Sequence, residues 1–260
     1  MFGSTIPAPG STLLVFTITT WFTLGALGMV AGTGLLAYGL TLVPEEKRRP
    51  FVLVVAVPAI AAVAYALMAA GIGGLATARD TTVFAPRYVD WLLTTPIHVV
   101  FIGLLVGAST GILARAATLQ ALTIVFGFVG ATLATPLNWA FYFLGTVAFG
   151  GVVYYFYRDF EALSADCSDG IAALFRKLRS FVVVLWLVYP VIWLLGQPGI
   201  GIMDLETTAL VVSYIDVVSK VGFGLIALND YVNLAELDTA AASMGASGDA
   251  GSEGDPSVAD

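Results

Sequence analysis

The stretch Tyr214–Gly224 reads YIDVVSKVGFG. It sets Asp216 and Lys220 inside an apolar run that otherwise extends from Thr207 to Leu228 without a charge. Such a run is long enough to cross a bilayer, which takes about 20 residues. A charged side chain at that depth costs about 2.5–3.5 kcal/mol or more when left alone. A lysine and an aspartate one helical turn apart therefore need a reason to be there.

Working outward, six more runs of similar length precede this one, giving spans near 14–42, 51–74, 84–107, 112–133, 138–157, 171–195 and 207–229. They are apolar all round and too long for strands, which indicates helices rather than a barrel. Of all residues, 58% are hydrophobic and 11% charged, against about 25% charged in soluble domains. The expected fold is an all-α membrane protein, a seven-helix bundle with an internal pocket. The single cysteine, Cys167, excludes a disulfide framework and a cysteine metal site. No basic region precedes the first apolar run in MFGSTIPAPGST, so no cleavable signal peptide is expected. Nothing points to an enzyme or to nucleic acid.

Basic residues give an orientation. Lys47, Arg48 and Arg49 lie between the first two spans, Arg115 opens the fourth, Arg158 ends the fifth, and Arg176, Lys177 and Arg179 open the sixth. All fall on one side, with only Arg79 opposite. The positive-inside rule makes the richer side cytoplasmic, placing the N-terminus outside and the C-terminus inside the cell membrane. Domain organisation follows: residues 1–230 form the membrane domain and 231–260 an acidic, disordered cytoplasmic tail. From Asp230 onward stand seven of the 18 acids and none of the 11 bases, so the net charge of −7 belongs to this end.

Apart from His98 and tyrosines, four ionisable groups fall well inside the spans: Arg87, Asp90, Asp216 and Lys220. They sum to zero. Asp216 and Lys220 share one face of the seventh helix, Arg87 and Asp90 one face of the third, so a single site can hold all four. One reading is a buried ion-pair cluster that ties two helices together. The other starts from Lys220 being the one lysine within the bilayer. A buried lysine loses its proton readily and attacks an aldehyde to give an imine, whose positive charge needs a carboxylate beside it. In WLVYPVIW, Trp186, Tyr189, Pro190 and Trp193 form one stripe of the sixth helix. With Trp91 and Tyr65 as further walls, the stripe reads as a slot for a long, flat, conjugated molecule.

With RYVDWLLTTP on the third helix, WLVYPVIW on the sixth and DVVSKVGFG on the seventh, the chain resembles the microbial rhodopsins from the first helix to Asp230. The resemblance implies that Lys220 carries all-trans retinal as a Schiff base. It makes Asp90 the primary counterion and proton acceptor, Asp216 the second counterion, and Arg87 the charge beneath them on the extracellular side. Tyr65, Trp91, Thr95, His98, Tyr142, Gly145, Phe149, Trp186, Tyr189, Pro190, Trp193 and Ser219 are the implied pocket residues.

Proton pumps of that family place a carboxylate eleven residues after the counterion, about 16 Å further toward the cytoplasm; here Phe101 stands there. Pro198 and Thr208 occupy the positions of the extracellular release glutamates. Gly145 and Phe149 in FLGTVAF, TVFAPRYVDW, and the hydroxyl of Ser219 resemble sensory rhodopsin II, or the related middle rhodopsin. That implies a blue to blue-green phototaxis receptor of a haloarchaeon. Such a receptor signals through a two-helix transducer on the sixth and seventh helices, for which Tyr214 matches a contact residue. A second contact, a threonine in the family, falls on Asp204. The alternative is a weak outward proton pump or a form between sensor and pump. An oligomer is compatible with either. His98 stands where relatives carry an aliphatic residue; it is either a packed neutral imidazole or a group that acts on the retinal isomer or on reprotonation.

Overall fold

The computed structural model describes residues 17–45 and 48–234. Lys47 and the acidic stretch from Glu236 to Asp260 lie outside the described residues. Eight helices follow in chain order: α1 (Ile18–Leu42), α2 (Arg48–Ala69), α3 (Ala85–Leu105), α4 (Thr110–Thr132), α5 (Leu137–Tyr157), α6 (Asp159–Ser164), α7 (Asp169–Leu195) and α8 from Leu205. Among the described residues, seven helical segments are long and apolar enough to span a membrane. The short α6 prolongs the fifth span to Ser164, and α8 runs on to Leu234 as the seventh.

Local chemistry sets several helix ends. Pro86 opens α3, where its missing N–H costs nothing. Ser168 caps α7 by accepting from the Ile171 N–H at 3.5 Å. The second span ends at Ala69 rather than near 74. Gly71 and Gly73 take φ of 75° and 87° there, turning the chain out of the helix. A hairpin that the apolar pattern did not reveal follows. Strand β1 (Gly74–Ala76) pairs antiparallel with β2 (Thr82–Phe84), Leu75 opposite Val83.

Two apolar clusters flank the middle of the bundle. One gathers Phe22, Met29, Tyr65 and Met68. The other, at the end carrying Arg158 and Arg179, contains Phe101, Phe156, Phe160, Phe175 and Phe223. Between them lies the buried polar layer of α3 and α8. Small residues let α1 approach closely. A Cβ at Gly25 would stand 2.5 Å from Cδ1 of Tyr65, and one at Gly32 only 2.2 Å from Val221. Gly25→Ala is accordingly expected to cost about 1–3 kcal/mol by overpacking and to push Tyr65 out of place. Gly34→Ala, with nothing within 4 Å, is the control. Thermal unfolding followed by circular dichroism should show a lower midpoint for the first variant alone; equal midpoints would mean α1 and α2 separate without cost.

Candidate functional site

The lysine and both carboxylates meet in the polar layer. Lys220 Nζ donates to Asp90 Oδ2 at 2.7 Å and lies 3.4 Å from Asp216 Oδ2. All three side chains are buried, Lys220 at 2% exposure. The α8 backbone adopts a π-helical turn over Val218–Gly222, around the lysine. Such turns are rare and cluster at functional sites. The spacing of Asp216 and Lys220 holds across it, since the two remain in contact.

The carboxylates differ in their surroundings. Asp216 accepts from Tyr189 Oη at 2.5 Å and Tyr65 Oη at 2.8 Å, and from Trp91 Nε1 at 3.2 Å to each oxygen. Those donors come from α2, α3 and α7, so Asp216 pins four helices to one point. Asp90 has the lysine and one hydroxyl, Thr94 Oγ1, at 3.2 Å from Oδ1. The acceptor positions of Asp216 are largely filled, while Asp90 retains unfilled acceptor capacity.

A cavity of about 160 Å³ opens beside Lys220. Trp91, Tyr142, Trp186, Tyr189 and Trp193 face it, and Tyr142 and Trp193 stack at 4.8 Å. Thr95, His98, Gly145, Phe149, Pro190 and Ser219 also line it. A Cβ at Gly145 would sit 3.4 Å from the Thr123 carbonyl, so the glycine lets α5 pack closely on α4 beside the cavity. Tyr65, expected among the walls, does not line it. Its ring packs beside Gly25 and only its hydroxyl reaches the site, through Asp216.

The sequence of this bundle matches the family model described as bacteriorhodopsin-like protein over residues 16–234. The chain belongs to the bacteriorhodopsin-like family. It is 56% identical to sensory rhodopsin-2 of Haloarcula vallismortis, over 84% of this chain and 92% of that one. With sensory rhodopsin-2 of Natronomonas pharaonis the identity is 42%, over 82% and 88%. The crystal structure of thermophilic rhodopsin from Rubrobacter xylanophilus superposes with a TM-score of 0.79 at 31% identity, over 82% of this chain and 96% of that one. Members of the bacteriorhodopsin-like family bind retinal.

One feature of this bacteriorhodopsin-like chain departs from the sequence reading. Arg87 does not join the ion-pair cluster. Its guanidinium lies 5.5 Å from the Phe22 ring and 5.9 Å from that of Phe84, with Nε and Nη2 buried and unpartnered among the described residues. The edge-to-face pair of Phe22 and Phe84 packs against it, while it still lines the cavity that Asp216 and Lys220 border. Asp204, for its part, caps α8. It accepts from the Thr207 N–H at 2.7 Å, and that bond holds its carboxyl below the usual carboxylate range. Tyr214 is 70% exposed, on the α8 face turned away from the cavity.

Two site residues escaped the sequence reading. Thr94 sits one turn from Asp90 with its hydroxyl on both the Asp90 carbonyl and carboxylate. The i, i+4 spacing in RYVDWLLTTP carried that signal. Gln120 of α4 donates to Thr95 Oγ1 at 2.9 Å and leaves its own Oε1 buried and, among the described residues, unpartnered. A lone glutamine within an apolar span was the available clue.

Proposed function

We propose that this membrane protein is a light receptor of the sensory rhodopsin II kind, serving phototaxis. Retinal fits the residues present. Lys220 Nζ borders the aromatic cavity, and two carboxylates stand ready to balance a cation there. Lys220 would hold it covalently, with Trp91, Trp186, Tyr189 and Trp193 confining it. Bound all-trans as an imine on Lys220, retinal supplies visible absorption and a light-driven isomerisation.

The chain's own groups then handle the proton. Asp90 Oδ2, at 2.7 Å from Lys220 Nζ, is the acceptor. Asp216, fixed by two tyrosines and a tryptophan, steadies the site. The N-terminus faces outward and the basic end of the bundle faces the cytoplasm. Exposed Tyr214 on α8, beside α7, is the contact offered to a two-helix transducer.

The observation that carries the sensor reading over a pump is Phe101, 1% exposed and ringed by Phe51 at 5.3 Å and Phe223 at 5.7 Å. That position holds no carboxylate, so the rapid carboxylate donor of a pump is missing there and the activated state outlasts a pump's, which suits a signal. Illuminated vesicles containing the protein are expected to show only a transient pH change. Sustained acidification or alkalinisation abolished by a protonophore would identify a pump instead.

A further inference from the structure

His98 is the one histidine of the chain and is 2% exposed. Its Nδ1 lies 3.0 Å from the Thr94 carbonyl oxygen. A carbonyl only accepts, so Nδ1 carries the ring proton and Nε2 is a bare lone pair. Nε2 is buried without a partner among the described residues, and the ring lines the same cavity as Lys220 and Ser219. Phe223 and Trp186 clamp it edge-on, with centroids at 4.4 and 6.0 Å. An unpartnered buried acceptor destabilises the fold that holds it. An aliphatic side chain would fill the space without that cost.

The location is informative. His98 stands eight residues beyond Asp90 toward the basic end, a rise of about 12 Å. Among the described residues the buried carboxylates are Asp90 and Asp216, both on the other side of Lys220. Resting on the reading that Lys220 yields its proton to Asp90, we propose that His98 Nε2 returns a proton to Lys220 Nζ from the cytoplasmic side. Hydronium arriving from cytoplasmic water gives its proton to Nε2, making an imidazolium. Because Nε2 and Nζ are not in hydrogen-bond contact, a water in the cavity relays the step. The Nε2–H bond breaks as the water is protonated, the water passes a proton on to form a new Nζ–H bond, and the ring reverts to its neutral Nδ1–H form. The proton on Asp90 leaves separately.

Electrostatics orders these events. Of the groups facing the ring, Trp186 from α7 and Phe223 from α8 do not titrate; Lys220 of α8 does. Two cations in so small and dry a space oppose each other strongly. The imidazole therefore takes up a proton only after Lys220 has become neutral, which is when one is needed.

The test uses the full chain in lipid vesicles, supplied with retinal, comparing wild type with His98→Asn and His98→Leu. Recovery of the dark spectrum after a flash is expected to slow by about 100-fold in both variants, the lower end of what a positioned proton donor contributes. Added imidazole should restore it. With histidine labelled by nitrogen-15, the single ring should report protonated Nδ1 and bare Nε2 in the dark, with or without retinal. Wild-type recovery in His98→Asn, a slowing that imidazole leaves untouched, or a proton on Nε2 in the dark would overturn the proposal. Protein that takes up retinal and colours normally while failing these tests sinks this inference alone. Protein that never colours sinks the receptor reading with it.

Discussion

Lys220→Ala is expected to stay colourless in the presence of retinal, with complete loss of the visible band that the wild type develops. Among the described residues the side chain is the one amine bordering the cavity, so no neighbouring lysine there can substitute. Borohydride reduction of the wild-type pigment followed by peptide mass spectrometry should place the adduct on Lys220. A coloured Lys220→Ala protein, or an adduct on Lys177, would defeat the assignment. The same variant carries a stability effect. Removing one partner of a buried ion pair costs about 3–5 kcal/mol, because the remaining charge is left uncompensated. Here two carboxylates lose their shared cation, at 2.7 and 3.4 Å. Asp216 still has its tyrosine and tryptophan donors, so the loss falls mainly on Asp90. The double variant Lys220→Ala with Asp90→Asn is therefore expected to unfold later than Lys220→Ala alone, a coupling that contact residues show and distant ones do not.

Much of this architecture was legible because a bilayer leaves few options. Seven apolar runs must be helices, and four charges among them must find one another or an unusual chemistry. The helical spacing of Trp186, Tyr189, Pro190 and Trp193 was enough to put all four on the cavity wall. What remained hidden depends on tertiary neighbours. Nothing in AYALMAA distinguishes a wall tyrosine from one that reaches past the wall to Asp216. Tyr65 takes its place because Gly25 of α1 leaves room for its ring. Arg87 shares a helix face with Asp90, yet face-sharing says nothing of Phe22 and Phe84, which draw the guanidinium away. The hairpin after α2 was swallowed by an apolar run, since GIGGLA is as hydrophobic as a helix end while its positive-φ glycines break the helix. The π-helical turn at Val218–Gly222 adds no residue type that a sequence pattern could register.

The two buried acids look interchangeable in sequence and are opposites in structure, which leads to the second large effect. Asp90→Asn is expected to cut light-driven proton loss from Lys220 by about 100-fold or more, the scale on which a positioned base contributes. Asp90 Oδ2 is the nearest acceptor to Nζ, and its remaining hydrogen bond is a single long contact from Thr94. An asparagine keeps that contact and the packing but cannot accept a proton. Asp216→Asn should act differently. It unsettles the bonds from Tyr65, Tyr189 and Trp91 that tie α2, α3 and α7 to α8, so the expected result is poor pigment yield and lower thermal stability rather than a clean kinetic block. Light-minus-dark infrared difference spectra distinguish the two. A protonated-carboxyl band should rise on illumination in the wild type and vanish in Asp90→Asn. Its persistence in Asp90→Asn together with its loss in folded Asp216→Asn would exchange the two roles, and the proton would then travel to the carboxylate that the structure surrounds with donors.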